Sequence, residues 1–143
     1  MEHFPATLSA PESEAMLHRL QGDIATRGYG LWAAELRNSA SPPVLIGLIG
    51  IQPVPAELPF APAVEVGWRL ARAYWRQGLA AEGARAAIDF GFRQVGLEDI
   101  VAQTAAVNVR SRRLMERLGM SRDPTEDFRH PAVPAVLGAG RRR

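Results

Sequence analysis

Tyr74-Trp75-Arg76-Gln77-Gly78-Leu79-Ala80-Ala81-Glu82-Gly83-Ala84 is the stretch around which the rest of the chain is arranged. It follows an alternating run, Val64-Glu65-Val66-Gly67-Trp68-Arg69-Leu70, and opens a run of helical spacing that stops near Gly96. In the alternating run Val64, Val66, Trp68 and Leu70 point one way and Glu65, Gly67 and Arg69 the other, which is a strand with one face on a core. From Leu79 onward Ala81, Ala84, Ile88, Gly91, Phe92 and Val95 recur at three and four, a helix packed on a sheet. A strand, a short basic loop with glycine at the turn, and an Ala-rich helix together make an anion site. The first N–H groups of a helix lack intrahelical partners, and its dipole adds positive potential there. Gly78 and Ala80 carry no bulky side chain, so a phosphate can approach the backbone. The pattern predicts a pyrophosphate-bearing cofactor. It is not a Walker loop, since no Gly-Lys-Ser/Thr follows, nor the Gly-x-Gly-x-x-Gly of dinucleotide folds.

A chain of 143 residues predicts one domain with a core of its own. Hydrophobic content of 47% and charged content of 22% fit a globular protein. No apolar run is long enough for a membrane span, and no basic segment followed by an apolar core marks a signal peptide; the expected location is the cytoplasm. Without cysteine there is neither a disulfide nor a thiolate nucleophile. No His and carboxylate cluster has metal-ligand spacing, so no metal is expected. All 17 basic residues are arginines, and Arg141-Arg142-Arg143 outweighs the net charge of +2. A nucleic-acid-binding domain therefore rests on arginines alone and is the weakest functional class.

Taken in order, Pro11 to Arg27 is an amphipathic helix with Ser9 as N-cap, Glu12 three residues on, and Met16, Leu17, Leu20 and Ile24 on one face. Gly28 and Gly30 end it, and Tyr29 to Leu36 is a strand. Asn38 to Pro43 is turn chemistry, and Val44 to Ile51 is a buried strand forming a hairpin with the previous one. Pro53 to Pro62 is irregular, either a lip over the active site or a plain solvent loop. Asp99 to Ala105 is a further strand. Asn108 caps a helix through Leu118, with Gly119 as its left-handed stop and Met120 making the accompanying apolar contact. The order helix–β–β–β–α–β–α is an α/β plan with mixed pairing.

Trp75-Arg76-Gln77-Gly78-Leu79-Ala80 resembles the acetyl-CoA-binding motif Arg/Gln-x-x-Gly-x-Gly/Ala of the GNAT N-acetyltransferase superfamily. The flanking Val64 to Leu70 run and the downstream Asn108-x-x-Ser111-x-x-Leu114-Met115-Glu116-x-Leu118-Gly119-Met120 strengthen the match. Trp75 departs from Arg/Gln, as is common in the branch resembling the ribosomal-protein N-terminal acetyltransferases. The resemblance implies a mixed, mostly antiparallel central sheet flanked by helices (α/β, or α+β). It covers residues 1–122 as one acetyl-CoA-binding domain and leaves residues 123–143 as an irregular tail. It also implies that the family's first strand and last two strands are lacking, either truncated or supplied by another chain, so a homo-oligomer is expected.

The same resemblance implies acetyl transfer from acetyl-CoA to an amine, of a protein N-terminus or a small molecule, by direct attack in a ternary complex. Leu70 would hold the pantetheine arm through backbone N–H groups. Arg76, Gln77, Gly78, Leu79 and Ala80 would bind the pyrophosphate, with Arg72 beside them. Asn108 would touch the pantetheine arm or serve as a plain N-cap. Glu65 is the candidate general base, directly or through water; the alternative is a strand glutamate paired with Arg69 or Arg72. Many members carry a Tyr near the leaving thiolate where Met115 stands here, so Ser111 or water would supply the proton. Trp68 and Trp75 are assigned to packing rather than to substrate reading. The alternative function is a catalytically impaired acyl-CoA-binding or interaction remnant.

Overall fold

The computed structural model describes residues 8–38, 41–129 and 136–142. Helix α1 spans Ala10–Arg27 and is set by its sequence ends. Ser9 N–H donates to Glu12 Oε2 at 2.7 Å, and Glu12 N–H donates to Ser9 Oγ at 3.4 Å, so two first-turn donors are satisfied reciprocally. Gly28, at φ 83°, closes the helix by donating its N–H to Ile24 O.

Strands β1 (Leu31–Asn38) and β2 (Ser41–Pro53) form the antiparallel hairpin, and β3 (Val64–Leu70) pairs antiparallel with β2. Strand β2 begins earlier than Val44, taking in Pro42 and Pro43. They lie opposite an irregularity in the β1 ladder, between Leu36 and Asn38, where a missing N–H costs no regular bond. Helix α2 (Leu79–Phe90) follows, and its last turn widens into a π-helical segment, Gly91–Val95. Strand β4 (Ile100–Ala105) is parallel to β3, and helix α3 (Val109–Arg117) returns to the same face as α2. Gly119, at φ 76°, ends α3, with Met120 N–H donating to Met115 O and Gly119 N–H to Glu116 O.

The segment after residue 122 is not irregular throughout. Strands β5 (Ser121–Arg122), β6 (Phe128–Arg129) and β7 (Val136–Arg142) join the sheet, whose order is β1-β2-β3-β4-β7-β5, with β6 also on β7. Strand β7 pairs with β4 from Ile100↔Arg142 to Ala105↔Leu137. The expectation that the final strands are lacking is corrected by this pairing. Any non-proline backbone can complete a ladder, and Gly138-Ala139-Gly140 does so without the alternation by which strands are recognised. Before β6, Asp123 caps a short turn by accepting from Thr125 N–H at 2.9 Å, and Arg122 pairs with Asp127. The expectation about the first strand concerns chain ahead of α1, where residues 1–7 lie outside the described residues.

The sheet is mixed and mostly antiparallel, with β3–β4 the parallel pair. Its main core lies under α2 and α3, where Ala81, Ala84 and Ile88 meet Ile51, Val66 and Ile100. Burying each isoleucine contributes about 1.5–3 kcal/mol. Small residues bring α2 close: a Cβ at Gly83 would stand 2.5 Å from Ile49 Cδ1. The 53–62 segment is not a plain solvent loop. Its Val54 and Leu58 are buried with Val101, on the sheet face turned away from α2.

Candidate active site

The β3–loop–α2 unit forms the wall of a groove of about 500 Å³, and the start of α3 forms the facing wall. After β3 the chain makes one short helical turn, Arg72–Tyr74, and then passes through two left-handed residues, Arg76 at φ 61° and Gly78 at φ 76°. Gly78 tolerates that conformation freely. Arg76 does not, and a non-glycine residue there stores about 1–2 kcal/mol. Gly78 O accepts the first helical bond, from Glu82 N–H, but no side chain caps the first turn of α2. A Cβ at Gly78 would meet nothing within 4 Å, so the loop opens onto free space. The uncapped donors, the left-handed pair and the open glycine fit a pyrophosphate.

The groove lining includes Leu70, Arg76, Gly78, Leu79, Ala80, Asn108 and Ser111. Arg72 and Gln77 are not brought to it. Gln77 Nε2 turns back to donate to Ala73 O at 3.1 Å, and the Arg72 guanidinium lies 5.4 Å from the centre of the Trp75 ring. Trp75 packs into the loop as expected, its indole N–H donating to Leu70 O at 2.8 Å. Arg110, from α3, stacks on the same ring at 3.7 Å and joins the two walls.

Asn108 is the N-cap of α3: its Oδ1 accepts from Ser111 N–H at 3.2 Å while the residue also lines the groove. Ser111 Oγ accepts from Trp68 Nε1 at 3.2 Å, which leaves its own hydroxyl proton able to donate into the groove. Met115 is buried in the core among Leu114 and Leu118 and does not reach the groove, as an apolar side chain on the inner stripe of α3 must be.

Glu65 faces away from α2 and α3, on the opposite side of β3 from Val66, and is 8% exposed. Its Oε1 accepts from Gln52 Nε2 at 3.1 Å and its Oε2 from Gln103 Nε2 at 2.7 Å, a buried polar row across β2, β3 and β4. Among the described residues, Gln103 Oε1, at the end of that row, is buried without a partner. Next along β3, Arg69 keeps an exposed surface, yet desolvation of its guanidinium lowers its pKa; Glu65 acts to raise it and Arg19 to lower it. The predicted sites thus lie on two faces of one sheet. β3 and β4 are paired at Glu65↔Val101, so Glu65 sits where the two parallel strands meet. Trp68 and Ser111, by contrast, line the groove.

Sequence reasoning missed Gln52 and Gln103, which reach Glu65 only through strand pairing. It also missed Arg110, Arg113 and Arg117 on the groove side of α3, although their spacing of three and four was a readable signal. Among the described residues no helix is long and apolar enough to cross a membrane.

Residues 1–121 match the family description "Acetyltransferase (GNAT) domain". The chain is 34% identical over 96 residues to the "Uncharacterized protein YkkB" of Bacillus subtilis (strain 168), covering 66% of this chain and 53% of that protein. It is 28% identical over 117 residues to the "FsC-acetyl coenzyme A-N(2)-transacetylase" of Aspergillus fumigatus, covering 79% of this chain and 48% of that one. The chain spans about half the length of these curated relatives. Its fold superposes on a Bordetella pertussis protein assigned to the GnaT-family acetyltransferases with a TM-score of 0.80 and 27% identity, over 95% of this chain and 78% of that one. This is a family that uses acetyl-CoA. By the match over residues 1–121, and with the loop, groove and sheet described above, the chain belongs to the GNAT family of acetyltransferases.

Proposed function

We propose that this chain transfers the acetyl group of acetyl-CoA to an amine, on a protein N-terminus or a small molecule, by direct attack without a covalent enzyme intermediate. The observation that carries this reading is the arginine-lined groove, in which Arg76, Gly78 and the uncapped first turn of α2 face Asn108 and Ser111 of α3. Bound acetyl-CoA supplies a thioester carbon open to an amine and a thiolate able to leave. The first turn of α2, with Arg76 and Gly78, holds the pyrophosphate through backbone N–H groups and one charge-assisted contact. Leu70 and Asn108 flank the arm beyond it.

An amine attacks only when neutral, so a proton acceptor is required. Glu65 fills that role, directly or through one water. The two glutamine amides hold its carboxylate in place. Ser111, its oxygen fixed by the Trp68 indole, turns its hydroxyl toward the departing sulfur. The reading carries with it a cytoplasmic location, and acetyl-CoA and the amine as partners.

The test is release of free CoA thiol from acetyl-CoA across a panel of peptide N-termini and small amines, with wild type and Glu65→Gln. At least one amine is expected to turn over, and Glu65→Gln should lower kcat by about 10²–10⁴ while the KM for acetyl-CoA holds. Cofactor binding with no amine acetylated would instead support the non-catalytic acyl-CoA-binding remnant.

A further inference from the structure

Among the described residues the groove is lined by five arginines, Arg69, Arg76, Arg110, Arg113 and Arg117, and by no aspartate or glutamate. One-sided charge of this kind is unfavourable to leave unanswered. Arg113 and Arg117 are four residues apart on α3, and Arg110 is three before Arg113, so like charges stack along one helix face and weaken it. Both Arg113 and Arg117 are exposed. Neither forms an ion pair among the described residues, where other arginines do so with a carboxylate four positions away, as Arg93 does with Asp89 at 3.0 Å.

The pyrophosphate does not account for this pair. Its donors are the uncapped first turn of α2, Gly78 and Arg76, on the other wall of the groove. Arg110 is also committed, stacked on Trp75. Arg113 and Arg117 remain, one turn apart, with a rise of about 6 Å between them, a separation that lets two guanidinium groups converge on one phosphate. CoA differs from its biosynthetically simpler dephospho form by one phosphomonoester on the ribose, which carries about −1.5 to −2 charge near pH 7.

We propose that Arg113 and Arg117 bind the ribose 3′-phosphate of CoA and are the residues by which this chain separates CoA from dephospho-CoA. The proposal rests on the acetyl-CoA reading above and adds a phosphate subsite on α3.

The experiment is isothermal titration calorimetry of the full chain with CoA and with dephospho-CoA, for wild type and for Arg113→Ala/Arg117→Ala. Wild type should bind CoA about 30-fold more tightly than dephospho-CoA, as paired charge-assisted contacts at an exposed site allow. The double variant should lose that preference by weakening toward CoA while its affinity for dephospho-CoA stays within about threefold. Arg113→Lys/Arg117→Lys, which keeps the charges, should recover part of the preference and guards against a folding defect. Equal wild-type affinity for the two ligands would overturn the phosphate assignment alone, as would a variant weakened equally toward both. If wild type bound neither, the cofactor reading itself would fall and take this proposal with it.

Discussion

Gly47→Ala is the sharpest test of how the groove end of the sheet is built. Gly47 lies in β2 opposite Leu70 of β3 and Ala34 of β1. A Cβ there would stand 1.9 Å from the Arg69 carbonyl oxygen and 2.9 Å from Leu70 Cα. Carbon–oxygen contacts between strands settle at about 3.3 Å or more, so β2 and β3 would have to part by about 1.4 Å. The obstruction is backbone, so no rotamer change relieves it. Parting the strands breaks ladder bonds on either side, among them Ala71 N–H to Ile46 O at 2.8 Å. Two or three such bonds at about 1 kcal/mol each, with about 1–3 kcal/mol of overpacking strain, put the loss at roughly 3–5 kcal/mol. For a chain of this size the melting temperature should fall by roughly 10 °C or more. Gly67→Ala is the matched control. It sits in β3 opposite Gly50, and its Cβ would make only an ordinary contact, 3.6 Å from Leu31 Cδ2. Restricting the unfolded chain should leave that variant as stable as wild type or more so, by about 0.4–1 kcal/mol. Urea unfolding followed by tryptophan fluorescence measures both. The reasoning is refuted if Gly47→Ala lies within about 0.5 kcal/mol of wild type, or if Gly67→Ala falls as far.

Two further outcomes are expected. The backbone N–H of Ser9, and secondarily its hydroxyl, hold the Glu12 carboxyl below its ordinary value. A depressed folded-state pKa contributes stability above the unfolded value of about 4.3 that is lost as pH falls through the folded value. Urea unfolding at pH 7 and pH 3 should therefore show a smaller acid loss for Glu12→Gln than for wild type, and equal losses would contradict the capping box. Trp75→Phe keeps a ring beneath Arg110 but removes the indole donor to Leu70 O. It should lower unfolding free energy by about 1 kcal/mol, and an unchanged value would mean that the bond holds nothing in place.

The parts of the fold legible in the sequence were those written in local chemistry. Ser9 with Glu12, Gly28, and Gly119 with Met120 marked helix ends because caps depend on residues within one turn. The β3–loop–α2 unit was legible for the same reason, since strand alternation, a glycine turn and helical spacing are contiguous. What escaped depends on distant partners. Gly138-Ala139-Gly140 becomes a strand because β4 offers an open edge, not because of its own side chains. Pro42 and Pro43 belong to β2 because the ladder is irregular opposite them. Gln103 reaches Glu65 across 38 residues of sequence, and the arginine stripe of α3 acquires meaning only once α2 stands across the groove from it.

The groove as a cofactor site is tested most directly by thermal unfolding of the purified chain with and without acetyl-CoA, beside Gly78→Glu. The substitution places a carboxylate where the loop opens to the groove, at a left-handed position that costs about 1–2 kcal/mol whatever is bound. Each protein is therefore compared with itself. At about 100 times its dissociation constant the ligand should stabilise wild type by roughly 2.7 kcal/mol, with a clear rise in melting temperature, and should leave Gly78→Glu unmoved. No rise in folded wild type, or an equal rise in both proteins, would contradict the assignment of the Arg76–Ala80 loop as the pyrophosphate site.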